Sequence, residues 1–184
     1  MYAIELLVSE HENVLRLCRA MRGACLNALE SRTVAAADFR AFLRIIREYA
    51  DRHHHGKEEQ LLFQEMEERL GPAAQKLVRS GMLVEHDLGR LYAGQLDEAL
   101  GRWEQSTDRD SLLDILTNAM AYADLLGRHI DRENGVVYRF AENNLPSDVL
   151  ADLNERTRKF EEGQEDFLSS ILAELTRLER TYAR

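Results

Sequence analysis

DRHHHGKEEQLLF occupies residues 51–63 and sets three imidazoles and two glutamate carboxylates within nine residues. It lies inside a run from about Ala36 to Leu70 in which Phe39, Leu43, Ile46, Ala50, His54, Glu58, Leu61 and Glu65 recur in steps of three and four, the period of one helix face. Halfway along that face the chemistry changes. Where the period calls for Leu or Val it delivers an imidazole and a carboxylate, four residues apart and so neighbours on the same side of the helix. Burying such groups is costly unless they have partners, so the rest of the chain must supply them.

Outward from this stretch the chain predicts more helices of the same kind. An earlier one carries Ile4, Leu7, His11, Val14, Cys18, Met21, Cys25 and Ala28 on one face. Gly71-Pro72 ends the central helix, since glycine terminates helices and proline cannot continue one. A short helical turn over about 73–78 is expected to stop at Ser80-Gly81. A third helix from Met82 to about Trp103 aligns Met82, His86, Gly89, Ala93, Leu96 and Leu100. Thr107 or Asp108 caps a fourth, whose stripe is Leu112, Ile115, Ala119, Tyr122, Leu126, His129, Glu133, Val136 and Phe140. Pro146-Ser147 opens a fifth, expected to run to about Tyr182 with Gly163 as a place to bend. No alternating β-branched run is present. The fold class is therefore all-α: an antiparallel up-down four-helix bundle over residues 1–144, joined by short loops, with an additional C-terminal helix over 145–184. The apolar stripe of that last helix must be buried along its own bundle or in a homodimer with a second chain.

Composition narrows the function. Of 184 residues, 24 are basic and 33 acidic, a formal net charge of −9 that argues against nucleic acid or an anionic membrane surface as partner. No apolar run reaches the roughly 18 residues of a membrane span, and the acidic start MYAIELLVSEHENV does not fit a secretory signal, so a cytoplasmic location is expected. Cys18 and Cys25, seven apart on one helix, stand about 10 Å apart along its axis, too far for a disulfide.

Six polar residues thus occupy apolar registers: His11, His54, Glu58, His86, His129 and Glu133. In an up-down bundle the starts of helices one and three share an end, and the His/Glu pairs of helices two and four return to it, so all six are expected in one layer. Four imidazoles and two carboxylates suit a pair of non-haem iron ions, with imidazoles capping each and carboxylates bridging. Successive helical residues diverge by about 100°, so one of His53, His54 and His55 is expected to aim at the centre. His54 is in register with Ala50 and Glu58, while His55 with Glu59 forms an alternative pair that stays open. Lys57 and Glu59 are expected on a solvated face, with Glu59 a candidate acceptor behind a ligand imidazole. Tyr122 is expected in the core or lining the metal pocket. Ferritin-type Glu-x-x-His and zinc-type HExxH spacings are both missing.

Together with SEHENV (9–14), EHDLGRLY (85–92) and LLGRHIDRENGVVYRF (125–140), the opening stretch resembles the hemerythrin-like, or HHE cation-binding, family over residues 1 to about 144. The resemblance implies one metal held by His11 and His54, the other by His86 and His129, with Glu58 and Glu133 bridging. It also implies oxygen, peroxide or nitric oxide as the small ligand. Two departures stand out. Oxygen-carrying hemerythrins have a second histidine four residues after the third-helix one, where this chain has Arg90, and their last carboxylate is an Asp at five rather than a Glu at four. These departures imply a vacancy on one metal and a poorer reversible carrier. The expected role is to bind or sense oxygen or a related oxidant, or to handle iron, with a peroxide- or nitric-oxide-consuming enzyme and an iron- or redox-responsive regulatory module as alternatives.

Overall fold

The structure, a computed structural model, describes residues 1–183. Among these residues it contains six helices and no strand. Helix α1 spans Tyr2–Ser31, α2 spans 36–69, α3 spans 71–106 and α4 spans 109–144; α5 (Ser147–Glu161) and α6 (Glu165–Tyr182) follow. The connections are a few residues at most, which forces sequential helices to run antiparallel. Gly71 takes φ +71° and Pro72 sits in the first turn of α3, so the α2–α3 corner is a glycine turn handed directly to a proline-started helix. Asp108, with a carboxylate that accepts from the Ser111 N–H at 2.8 Å, caps α4.

Two expectations about helix ends give way. Ser80-Gly81 does not interrupt the chain: a π-helical turn over Val78–Met82 carries it without a break into Leu83–Ser106. The C-terminal segment is not one helix, because Gly163 at φ +75° turns the chain between α5 and α6. Both halves pack on their own bundle. In α6, Ile171, Leu175, Leu178 and Tyr182 are buried in the same core as α1 and α2. Arg16 of α1 holds Glu179 at 2.8 Å, and the Tyr182 hydroxyl donates to Asp38 at 2.6 Å. Helix α5 buries Val149 and Leu153 beside Ile4 and Leu7.

The apolar interior is split in two. One cluster runs from Val14 through Phe42, Leu96, Ile115 and Leu126 to the α6 stripe. The other gathers Ile4, Leu7, Leu62, Phe63, Met66, Met82, Val137 and Leu153. Along each of the first four helices a polar stretch separates the two: His11 lies between Leu7 and Val14, and His129 between Leu126 and Val137. Burial pushes the thiols of Cys18 and Cys25 up to about 12, so both act as small apolar side chains.

Four π-helical stretches occur, over Ile46–His55, Glu58–Leu62, Val78–Met82 and Glu133–Val137. Each takes one residue more per hydrogen-bonded turn than an α-helix and rotates the downstream face. The consequence is visible in α4. Val136, expected in the buried stripe, is 55% exposed, whereas Val137, Tyr138 and Ala141 are buried.

At Gly23 a Cβ would lie 2.3 Å from the Tyr182 carbonyl oxygen, whereas at Gly127 it would meet nothing within 4 Å. Gly23→Ala is expected to destabilise the protein by about 2 kcal/mol through overpacking, lowering Tm by roughly 4–8 °C. Gly127→Ala, in open space within α4, is expected to raise it slightly. Thermal unfolding of the two variants checks both signs.

Candidate metal centre

Every histidine of the chain is buried. The structure brings the six sequence-selected residues together and adds a seventh. His11, His54, Glu58 and Glu133 offer ligand atoms within 4.8 Å of one another, and so do His55, Glu58, His86 and His129. Glu58 is common to both groups. Its Oε2 lies 3.7 Å from His54 Nε2 and 3.5 Å from His86 Nε2. Glu133 Oε2 lies 3.1 Å from both His11 Nε2 and His129 Nε2. Each carboxylate therefore stands between an imidazole of one group and an imidazole of the other.

The expectation that only one of His53, His54 and His55 faces the centre is corrected. His54 belongs to one group and His55 to the other. Two targets side by side can take consecutive residues, and the π-helical backbone of Ile46–His55 winds more slowly than the 100° step assumed. His55 stacks on His86 with ring centroids 3.8 Å apart. His55 thus joins the group of His86 and His129 from α2. Arg90 itself lies at the surface, 38% exposed, with its guanidinium on Asp51 at 2.8 Å and Glu59 at 2.6 Å. His53 turns the other way, into a third group with Glu10 and Glu161. That group already holds a cation: the Lys57 ammonium contacts Glu10 and lies 2.6 Å from Glu161. Lys57, expected on a solvated face, is 1% exposed because α5 covers it with Glu161 and Phe160.

Each imidazole of the two groups has its Nδ1 tied to a side-chain oxygen behind it. His54 pairs with Glu10 at 2.8 Å, His86 with Glu59 at 2.7 Å, His129 with Glu85 at 2.9 Å and His11 with Asn134 at 2.9 Å. His55 contacts Asp51 at 3.4 Å. The first four pairs form a closed circuit. Glu10 sits beside His11 on α1 and serves α2; Glu59, beside Glu58 on α2, serves α3. Glu85, beside His86 on α3, serves α4, and Asn134, beside Glu133 on α4, serves α1. Behind the carboxylates stand Lys57 on Glu10, Arg90 on Asp51 and Glu59, and Arg132 on Glu85.

With Nδ1 donating outward, each Nε2 presents a lone pair inward. The Nε2 atoms of His54 and His55, Glu58 Oε2 and both Glu133 oxygens are buried without a hydrogen-bond partner. Lone pairs facing one another at 3.1–3.9 Å attract only if a proton or a cation lies between them. Soft-to-intermediate nitrogens with bridging carboxylates suit a transition metal, and the outward hydrogen bonds fix the tautomer that metal binding requires. The residues present fit metal binding.

Crowding and burial shift the titration of these groups. Burial and the neighbouring His11 push His54 down to about 4. Burial and His86 hold His55 well below its ordinary value. Burial and the charge of Glu133 push Glu58 well above the carboxylate range. Burial acts to raise Glu133 too, but the imidazoles of His129 and His11 outweigh it and hold Glu133 well below. A cavity of about 190 Å³, lined by Asp51, His55, His86, Gly89, Arg90 and Tyr122, reaches the layer from its α2–α3 side.

Sequence reasoning missed Glu10, Asn134 and Glu85 as acceptors and Tyr138 as a neighbour of the layer. The Tyr138 hydroxyl donates to Glu58 Oε1 at 2.6 Å. The acceptors carry a signal in hindsight: each sits next to a ligand-type residue, in Glu10-His11, Glu58-Glu59, Glu85-His86 and Glu133-Asn134. Comparison with protein families matches residues 2–141 to the hemerythrin HHE cation binding domain. Neither the curated proteins nor the solved structures give a match.

The unfolded chain protonates His54 near pH 6.5, whereas the folded, metal-free protein resists until about pH 4. Across that window the unfolded state binds more protons, so this group makes stability fall as pH falls, by up to about 3 kcal/mol. Denaturant unfolding of metal-free protein at pH 7 and pH 4.5 is expected to show a smaller loss in His54→Gln than in the native chain. Equal losses would count against His54 as the source.

Proposed function

Because the chain belongs to the hemerythrin HHE cation-binding family, and because its buried layer turns unpartnered nitrogens and carboxylate oxygens toward one another, we propose that it is a non-haem di-iron protein that binds or senses oxygen or a related small oxidant. His11 and His54 would hold one ion and His55, His86 and His129 the other, with Glu58 and Glu133 shared. Iron bound there supplies one-electron redox chemistry and affinity for small diatomic ligands. The observation that carries this reading is the circuit of outward Nδ1 hydrogen bonds, which leaves the inward nitrogens free for a metal.

The protein's own part is positioning and exclusion. Glu10, Glu59 and Glu85 orient their imidazoles and raise their basicity. The two apolar clusters close the layer from above and below, so charge inside it interacts in a poorly screening medium. The cavity of about 190 Å³ at Tyr122 and Gly89 is large enough to admit a small molecule such as a diatomic together with water. Among the described residues no helix is long and apolar enough to cross a membrane.

One contact favours a regulatory role as a second reading. Lys57 joins Glu10, the acceptor behind His54, to Glu161 at the end of α5. Lys57 thereby gives the layer a charged link to the C-terminal helices, along which a change in charge would act.

Metal analysis and absorption spectra of protein purified in air are expected to give about two irons per chain with oxo-bridge charge-transfer bands. His54→Ala and Glu133→Ala are expected to lose both. Iron at a hundredfold excess over Kd should stabilise the fold by about 2.7 kcal/mol, seen as a higher Tm. Folded protein that takes up no iron would overturn the reading and leave the layer a structural network.

A further inference from the structure

One polar group in the layer is accounted for by neither the histidines nor the carboxylates. Tyr138 is 1% exposed and sits in the layer's wall among Leu7, Leu62 and Val137. Its ring lies parallel to that of His11, at 7° with centroids 5.5 Å apart. Its oxygen stands 2.6 Å from Glu58 Oε1 and 3.3 Å from His11 Nε2. The single phenolic proton serves Glu58, the shorter contact. His11 Nδ1 is committed to Asn134, so His11 Nε2 turns a lone pair toward the phenol oxygen.

Those distances are informative. Adjacent donors on one octahedral ion, each bonded at about 2.1 Å, stand about 3 Å apart. The Tyr138 oxygen lies at this kind of separation from a nitrogen and a carboxylate oxygen of the same group. Donor count points the same way. Glu58 and Glu133 lie between the two groups; beyond them, one has three imidazoles, His55, His86 and His129, and the other only His11 and His54. Tyr138 faces the poorer one.

The backbone explains how it gets there. At about 100° per residue, an unbroken α-helix would place residue 138 roughly half a turn away from His129. The π-helical turn Glu133–Val137 closes with the Tyr138 N–H on the Glu133 carbonyl, five residues back. That brings Tyr138 to the same side as Glu133.

We propose that Tyr138 is a further metal ligand: its phenolate oxygen binds the ferric ion held by His11 and His54, the O–H bond giving way to an O–metal bond and the proton passing to solvent. This rests on the di-iron reading above. An added anionic oxygen favours the more highly charged ferric ion by electrostatics and occupies a position that a reversible oxygen carrier would keep free. It therefore moves the protein's role from carrying oxygen toward sensing or consuming an oxidant.

The test uses the full chain loaded with iron and oxidised. A visible phenolate-to-iron(III) charge-transfer band is expected, and resonance Raman excitation into it should enhance tyrosine ring modes that shift when the protein is made with ring-deuterated tyrosine. Tyr138→Phe is expected to retain iron and lose the band, while Phe substitutions at Tyr2, Tyr49, Tyr92, Tyr122 and Tyr182 keep it. If Tyr138→Phe does not fold, the isotope shift surviving all five of the other substitutions decides the matter. Bound iron without tyrosine modes, or a band unchanged in Tyr138→Phe, overturns this proposal alone. Failure to bind iron at all overturns the di-iron reading with it.

Discussion

Four of the inward-facing imidazoles are held by hydrogen bonds from Nδ1 to an oxygen carried by a neighbouring helix. His54, His86, His129 and His11 take these oxygens from Glu10, Glu59, Glu85 and Asn134, each carried by the neighbouring helix and each adjacent in sequence to a residue of the layer. One helix thus aims its own group inward and steadies its neighbour's with an adjacent residue. The circuit closes from α4 back to α1, so no helix can rotate or slide without releasing two imidazoles. Loss of such an outer partner typically costs 10–100-fold in metal affinity. That makes the four helix contacts part of the site and not merely its scaffold.

A layer of this polarity is tolerable only because of what surrounds it. Apolar clusters close it on both sides, and the outer carboxylates are themselves neutralised by Lys57, Arg90 and Arg132. The C-terminal helices take part in this. By covering His53 and Lys57 they make residues 53–58 of α2 buried on every side, which converts a surface lysine into an interior counter-ion. Removing one member of such a buried pair leaves an uncompensated charge, the expensive outcome for an ion pair.

Much of the fold was legible because helix periodicity is local. The stripes of α1 and α3, the Gly71-Pro72 corner and the Asp108 cap follow from side-chain spacing and from the conformational limits of glycine and proline. So do the two His/Glu pairs, since residues four apart share a face whatever else the chain does. The places where the reading slipped have a common cause. Val136 for Val137, the overlooked Tyr138 and the demotion of His55 all lie in or just beyond π-helical turns. A hydrogen bond five residues back shifts every downstream side chain relative to the α period. Nothing in residue type announces such a turn, which is stabilised by what it lets the side chains reach.

Residue spacing alone specifies a helical bundle with histidines and glutamates at positions where a core would be apolar. Hydrophobic period, caps and turns act within a few residues and need no partner. Which oxygen steadies which imidazole, the placing of His54 and His55 in different halves of the layer, and the burial of Lys57 are set by packing between helices. Those outcomes depend on groups as far as 123 residues apart meeting across helix boundaries, and on backbone turns whose stability comes from that meeting.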